Sequence, residues 1–223
     1  MLDVLGDVIP FGVGVALSPF PIIAVLLLLT APIGVRGGWL FLLGRAAGFA
    51  ALTALFATLS ELIDAAAGST LPAAILRIGL GGLLIVVAVR NFLKRPRNGD
   101  EAALPRWMQS IEKSGGGESL RLGVVLTVAN PKEIAFAAGA GLTIGGAFLP
   151  AGQMVALGAV FVVVACLSVG IPVIAVAVGG DRVMPALHAG RVWLVRNNAI
   201  VMAIVVLVIG AMVLGSGISG LTG

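Results

Sequence analysis

Two polar motifs interrupt otherwise apolar stretches of the sequence. The first is Ser-Pro-Phe-Pro at residues 18–21, and the second is Asn-Pro-Lys-Glu at residues 130–133. Proline disfavours helical geometry in the residue before it, whereas Ser and Asn are preferred N-caps and Pro is preferred at the first helical position. Each motif therefore predicts that one helix ends and a capped helix begins, with Glu133 completing a capping box after Asn130.

A capped helix start inside an apolar stretch is suited to an anion, because its free N–H groups and the helix dipole present partial positive charge. Lys132 and Glu133 lie at the second break, and Arg45 lies inside another apolar stretch. Charged residues in such surroundings are costly and usually face a partner or a polar cavity. Arg45 and Lys132 would make this cluster net positive. The residues expected to bind substrate are Ser18, Pro19, Pro21, Arg45, Asn130, Pro131, Lys132 and Glu133.

Each of these assignments has a purely structural alternative. The prolines could kink ordinary spans, with neighbouring helices satisfying the freed backbone groups. Glu133 could pair with Lys132 or serve only as a helix cap. Arg45 could line a cavity, or its long side chain could reach the cytoplasmic surface.

The elements that position these residues are predicted to be membrane-spanning helices. The chain has 223 residues, of which 59% are apolar and 11% are charged, against roughly half and a quarter in soluble domains. This composition excludes a soluble enzyme and a disordered chain. A spanning helix needs about 20 apolar residues. Six stretches qualify, so we expect an all-α integral membrane protein with spans at residues 8–33, 37–60, 71–89, 122–148, 151–178 and 197–215.

The Lys and Arg residues orient these six spans. Outside the spans they lie in the loops after spans one, three and five, and the opposite set of loops contains none. The positive-inside rule then places both termini outside and the loop 94–119 in the cytoplasm. Within that loop Leu104, Trp107, Met108 and Ile111 recur at helical spacing. They predict a short amphipathic helix, on the inner leaflet or packed on the ends of the spans.

The long loop separates a first half, residues 1–93, from a second half, residues 120–223. Because each half has three spans, the second enters the membrane inverted, as in the 3+3 inverted repeats of secondary transporters. The polar-Pro motif in the first span of each half supports this repeat, so the first and fourth helices are the broken ones. The GxxxG spacings at residues 44–48 and 141–145 favour close internal packing over a dimer contact.

Several kinds of chemistry find no support in the sequence. One Cys and one His exclude a disulfide framework and leave little for a metal site. No nucleophile–base set, phosphate-binding P-loop or nucleic-acid-binding module is visible. We therefore expect no enzyme activity, no cofactor and no nucleic-acid partner.

A set of motifs, in order along nearly the whole chain, resembles the GAP/Sap family, the glycolipid- and sulfolipid-addressing proteins of the LysE transporter superfamily. The motifs are Leu-Ser-Pro-Phe-Pro-Ile-Ile-Ala at 17–24, Phe-Leu-Leu-Gly at 41–44 with Gly48, Leu-Pro-Arg-Trp-Met at 104–108, Ala-Asn-Pro-Lys at 129–132 and Asn-Ala-Ile-Val-Met-Ala at 198–203. Arg45 departs from the family pattern, which has an apolar or aromatic residue there.

The resemblance implies six spans in the plasma membrane of a bacterium with a lipid-rich envelope, and a role in moving or addressing an amphiphilic glycolipid such as a sulfolipid. It also implies contact with membrane lipids and, from the wider superfamily, a homodimer. Two other functions stay open. One is a small-solute exporter for amino acids or ions, and the other is a scaffold that docks a lipid synthase or a large lipid exporter.

Cysteines introduced in the two sets of loops should be labelled from opposite sides of the membrane. A cysteine replacing Ser114 lies in the basic loop and should react only from the cytoplasm, whereas one replacing Ser219 lies in the tail without Lys or Arg and should react only from outside. An impermeant thiol reagent applied to intact and opened cells measures this. Labelling of both positions from the same side would contradict the six-span assignment.

Overall fold

The computed structural model describes residues 1–67 and 115–190, together with positions 79, 192–193, 196–197 and 207. Every regular element in this part is a helix. The predicted third span apart from Gly79, including its Arg77, lies outside the described residues, as do nearly all of the sixth span and residues 94–114 of the predicted cytoplasmic loop.

The first predicted span is two helices, α1 (Leu2–Ala16) and α2 (Pro19–Thr30). Ser18 has an extended backbone, with φ −76° and ψ 123°, because Pro19 disfavours helical geometry in the residue before it. The axes of α1 and α2 are bent by 55° at this break. The predicted break at the first polar-Pro motif is confirmed.

The fourth predicted span is broken in the same way, into α4 (Gly116–Val128) and α5 (Pro131–Gly145). Asn130 is again extended, with φ −93° and ψ 110°. The start of α4 corrects the predicted boundary of the loop, since residues 116–119 are already helical. The Glu118 carboxylate accepts a hydrogen bond of 2.7 Å from the backbone N–H of Gly115, which caps this helix start.

Two long unbroken helices follow the broken pairs. These are α3 (Gly34–Ala67) and α6 (Ala151–Gly179), and a short 3-10 helix, Gly180–Val183, extends α6. Residues Gly34–Leu62 of α3 and all of α6 are long and apolar enough to cross a membrane, and α1 with α2 can make a third, bent crossing. The protein is therefore an all-helical membrane protein over its described residues.

The helix α3 lies at the centre of the described structure and packs against α2, α4, α5 and α6. Its contacts with α5 advance in the same direction along both helices. Gly141 lies against the backbone of Thr53, and Gly145 lies four residues further along against Ala57. The two helices are thus parallel. In contrast, α6 is antiparallel to α3, as the contacts Gly38–Val173 and Phe49–Phe161 run in opposite directions along the two chains.

Two clusters of buried apolar side chains fill the spaces around α3. One joins α1, α5 and α6 to α3 around the edge-to-face ring pair Phe49–Phe161, whose centroids are 5.8 Å apart. The other joins α2 and α6 to α3 around Phe41. Contacts between the predicted halves therefore build most of the core.

Glycines allow α3 to approach its neighbours at backbone distance. A Cβ atom at Gly44 would overlap the carbonyl oxygen of Leu120 in α4, and one at Gly123 would overlap the carbonyl oxygen of Phe41. Gly141 and Gly145 make similar backbone contacts with α3. The internal packing predicted from the two GxxxG spacings is confirmed.

Replacing Gly44 with Ala should destabilise the protein by about 1–3 kcal/mol, because the added methyl group meets α4 backbone and forces the helices apart. Gly158→Ala in α6 is the matched control, since an added Cβ there meets nothing within 4 Å. Thermal unfolding of both variants in the same detergent compares them. Equal melting temperatures would contradict the close α3–α4 contact.

Candidate functional site

A buried ion pair connects α3 to the second helix break. The guanidinium Nη1 of Arg45 lies 3.1 Å from Oε2 of Glu133, and both side chains have no solvent exposure. Arg45 therefore does not reach the membrane surface, and that alternative for its side chain is wrong. The partner of Glu133 is an arginine from the other half of the chain.

The parallel register of α3 and α5 places the two charges opposite each other. Thr53 lies eight residues after Arg45, and Gly141, which it contacts, lies eight residues after Glu133. Eight residues are slightly more than two helical turns, so both contacts lie along one side of each helix. The glycine contacts that bring the backbones together thus also bring the charged side chains into range.

Two phenylalanines enclose the guanidinium of Arg45. Its Cζ atom lies 5.1 Å from the ring centroid of Phe49 and 6.0 Å from that of Phe41. These rings precede and follow Arg45 by four residues and so lie on the same face of α3. A weakly hydrated guanidinium is favoured over aromatic rings, so they help to hold this cation inside the protein.

Within the described part of the chain, the ion pair leaves most of its hydrogen-bonding groups without a partner. No guanidinium nitrogen of Arg45 and neither carboxylate oxygen of Glu133 has a well-aligned hydrogen-bond partner among the described residues. Buried polar groups are nearly always hydrogen-bonded, and each exception requires an explanation. The unused Nε–Nη2 edge of the guanidinium has the geometry that binds an oxyanion through two parallel hydrogen bonds.

The second break has the capped start that the sequence predicts, with one difference. The side-chain oxygen of Asn130 accepts a hydrogen bond of 3.1 Å from the backbone N–H of Lys132. Glu133 does not complete a capping box, because its carboxylate is directed to Arg45. The half-buried side chain of Lys132 extends along α5, with Nζ 5.8 Å from the ring centroid of Phe136.

The first break contains no charged residue. Ser18 occupies the N-cap position and is buried, but its hydroxyl makes no capping hydrogen bond. Pro19 and Pro21 are also buried. The two breaks therefore share a backbone shape but differ in chemistry, because the charged groups are gathered at the Pro131 break. Arg45, Lys132 and Glu133 together carry one net positive charge.

The sequence identified every charged member of this cluster but not the pairing of Arg45 with Glu133. Opposite charges in two separate apolar stretches are a signal for such a pair, since each would be costly alone. No group of three or more His, Cys, Asp or Glu residues comes together within the described ranges.

Removing both partners of the pair should cost less stability than the two single removals added together. Arg45→Met or Glu133→Gln leaves a buried charge without its partner, and each should lower the free energy of unfolding by about 3–5 kcal/mol. The double variant removes both charges, so its loss should fall short of the sum by about 1–3 kcal/mol. Chemical unfolding in detergent measures the wild type, the two single variants and the double variant.

Arg36→Met is the matched control, because Arg36 is an exposed arginine on the same helix. It should change stability by about 0.5 kcal/mol or less. Strictly additive losses for Arg45→Met and Glu133→Gln would show that the two side chains do not interact in the folded protein.

The family model described as "Sap, sulfolipid-1-addressing protein" matches residues 8–219, which is nearly the whole chain. Neither the curated proteins nor the solved structures gave a match. The family match spans both helix breaks, α3 and α6. The chain therefore belongs to the Sap, sulfolipid-1-addressing protein, family.

Proposed function

We propose that this protein moves or addresses an amphiphilic, anionic glycolipid, such as a sulfolipid, across the plasma membrane. The observation that carries the proposal is the family match over residues 8–219. The buried charged cluster at the second break supports it, since Arg45, Lys132 and Glu133 sum to one positive charge. Cations in a low-dielectric interior interact with an anion far more strongly than they would in water.

We place the lipid head group near the two breaks and its acyl chains in the bilayer or an apolar groove. At the second break, the N-terminus of α5 and the Lys132 ammonium both favour negative charge. Ser18 and its two following prolines shape the first break. This assignment gives the chain no catalytic step, no cofactor and no nucleic-acid partner.

The same proposal includes six spans in a 3+3 inverted repeat, with both termini outside and residues 94–119 in the cytoplasm. The parallel packing of α3 and α5 supports it. Two helices that cross a membrane in the same direction need an odd number of crossings between them, and the predicted third span supplies one. Each half also begins with a helix broken at a polar-Pro motif and continues into one long helix.

A homodimer of the LysE-superfamily type remains part of this proposal, as does contact with a lipid synthase or a large lipid exporter. The two alternative functions, a small-solute exporter and a non-transporting scaffold, predict different effects on the surface lipids of the cell. Loss of an exporter of small solutes would leave surface lipids unchanged. Loss of a scaffold would be reproduced by removing the loop 94–119 alone.

Deleting the gene should deplete one anionic glycolipid from the surface fraction and raise it in the inner-membrane fraction. Lipid profiles of both fractions, with the wild-type gene or a variant restored, measure the effect. Asn130→Leu should fail to restore the surface lipid, because it removes the side-chain oxygen that caps α5. Loss of an N-cap costs about 0.5–2 kcal/mol, which should leave the protein inserted and folded.

Asn130→Ser is the matched control, since Ser keeps a capping oxygen at this position and should restore the surface lipid. The protein level of each variant is compared in the same membranes. Full restoration of the surface lipid by Asn130→Leu would show that the second break is an ordinary kink without a role in lipid handling. Unchanged lipid profiles in the deletion strain would contradict the proposed function itself.

A further inference from the structure

We propose that the Arg45–Glu133 ion pair binds two adjacent sugar hydroxyl groups of the glycolipid head group, one accepting hydrogen bonds from the guanidinium and the other donating to the carboxylate. The ion pair stays intact when the sugar binds. This inference rests on the proposed function, because the sugar is taken to belong to the glycolipid that the protein moves or addresses. It assigns the neutral, hydroxylated part of the head group to a pair of opposite charges.

Both members of the pair have hydrogen-bonding groups that no described residue satisfies. On Arg45 these include the donors Nε and Nη2, and on Glu133 the acceptor Oε1. Neither side chain has any solvent exposure. Buried donors and acceptors without partners are costly and rare in native proteins, and charged groups inside apolar spans usually mark a functional site. The pair therefore indicates a ligand that brings both acceptors and donors.

A hydroxyl group meets this requirement, whereas a simple ion does not. The guanidinium edge alone suits an oxyanion, but an oxyanion has no donor for Oε1 of Glu133 and would repel its carboxylate. An ammonium group has no acceptor for the Arg45 donors and would repel the guanidinium. A hydroxyl both donates and accepts, and because it is neutral it disturbs neither charge of the pair.

Adjacent hydroxyls on a sugar ring can engage both members of the pair at once. The ring holds the two oxygens at a spacing close to the 3.1 Å between Nη1 of Arg45 and Oε2 of Glu133. Two water molecules would satisfy the same groups, but each of them has to be immobilised separately. A sugar ring carries both hydroxyls already positioned, so it replaces the hydrogen bonds of two waters at a lower entropic cost.

Lys132 accounts for the attraction of the charged part of the same head group. Its ammonium attracts the Glu133 carboxylate and repels the Arg45 guanidinium, so it belongs electrostatically to the pair. The three residues together carry one net positive charge, whereas the Arg45–Glu133 pair is neutral. An anionic substituent is thus attracted by the cluster as a whole, while the neutral hydroxyls contact the pair itself.

The ligand must reach a pair whose side chains are fully buried in this structure. Binding therefore requires the helices around the pair to part. Asn130 provides a non-helical point in the backbone only three residues before Glu133, and movement there leaves the hydrogen bonds inside α4 and α5 in place.

Binding of synthetic lipids to the purified full-length protein in lipid nanodiscs tests the inference. Three probes share their acyl chains: a galactosyl lipid sulfated on its primary hydroxyl, the same sulfated lipid without its ring hydroxyls, and the galactosyl lipid without sulfate. Removing the ring hydroxyls should weaken the apparent affinity by at least about tenfold, because hydrogen bonds to charged groups are lost and buried donors and acceptors stay unsatisfied.

The double variant Arg45→Met with Glu133→Gln removes both charges of the pair. It should bind the two sulfated probes with affinities equal within about twofold. Arg36→Met is the matched control, since Arg36 is an exposed arginine of the same helix, and it should keep the full difference between the probes.

Arg45→Lys provides a second variant in case the double variant does not fold. It keeps a cation opposite Glu133 but lacks the planar edge of parallel donors. The affinity difference between the two sulfated probes should therefore shrink by about threefold or more. A difference that persists unchanged in Arg45→Lys or in the folded double variant would overturn the assignment of the hydroxyls to this pair.

Equal binding of the two sulfated probes by the wild type would overturn the inference, with water alone satisfying the pair. The proposed function would still stand if the sulfated lipid bound more tightly than the unsulfated one. Equal binding of the sulfated and unsulfated lipids would instead contradict the anionic ligand of the proposed function. The sugar assignment would survive that result if binding still required the ring hydroxyls.

Discussion

The buried contact between Arg45 and Glu133 is the constraint on which the described structure depends. Neither charge is tolerable in an apolar interior without the other, so α3 and α5 must be close and in one register. Gly141 and Gly145 permit that approach because they lie against the backbone of α3. The close helix contacts and the ion pair thus act together. The glycines set the short distance between α3 and α5, and the ion pair fixes their register.

The two helix breaks share a backbone shape and differ in chemistry. Both are extended residues followed by proline, and at both a new helix begins. Among the described residues, buried charge lies at the second break, where Arg45 of α3 contacts Glu133.

Arg45 is a fully buried arginine in the middle of an apolar helix. The chain belongs to the Sap, sulfolipid-1-addressing protein, family. Its guanidinium is held by Phe41 and Phe49, one helical turn away on either side. The aromatic pair and Glu133 together make a buried arginine possible at this position.

The sequence by itself determined the membrane class, the positions of both breaks, the Asn130 cap and the close packing of the GxxxG glycines. These features follow from local rules, since hydropathy selects spans, proline ends helices and glycine permits close approach. The loop was predicted to extend to residue 119, but α4 begins at Gly116, because a glycine-rich segment can be helical when a residue such as Glu118 caps it. The partner of Glu133 was decided only by tertiary structure. Arg45 is far from Glu133 in sequence and is brought to it by the register of two helices from opposite predicted halves.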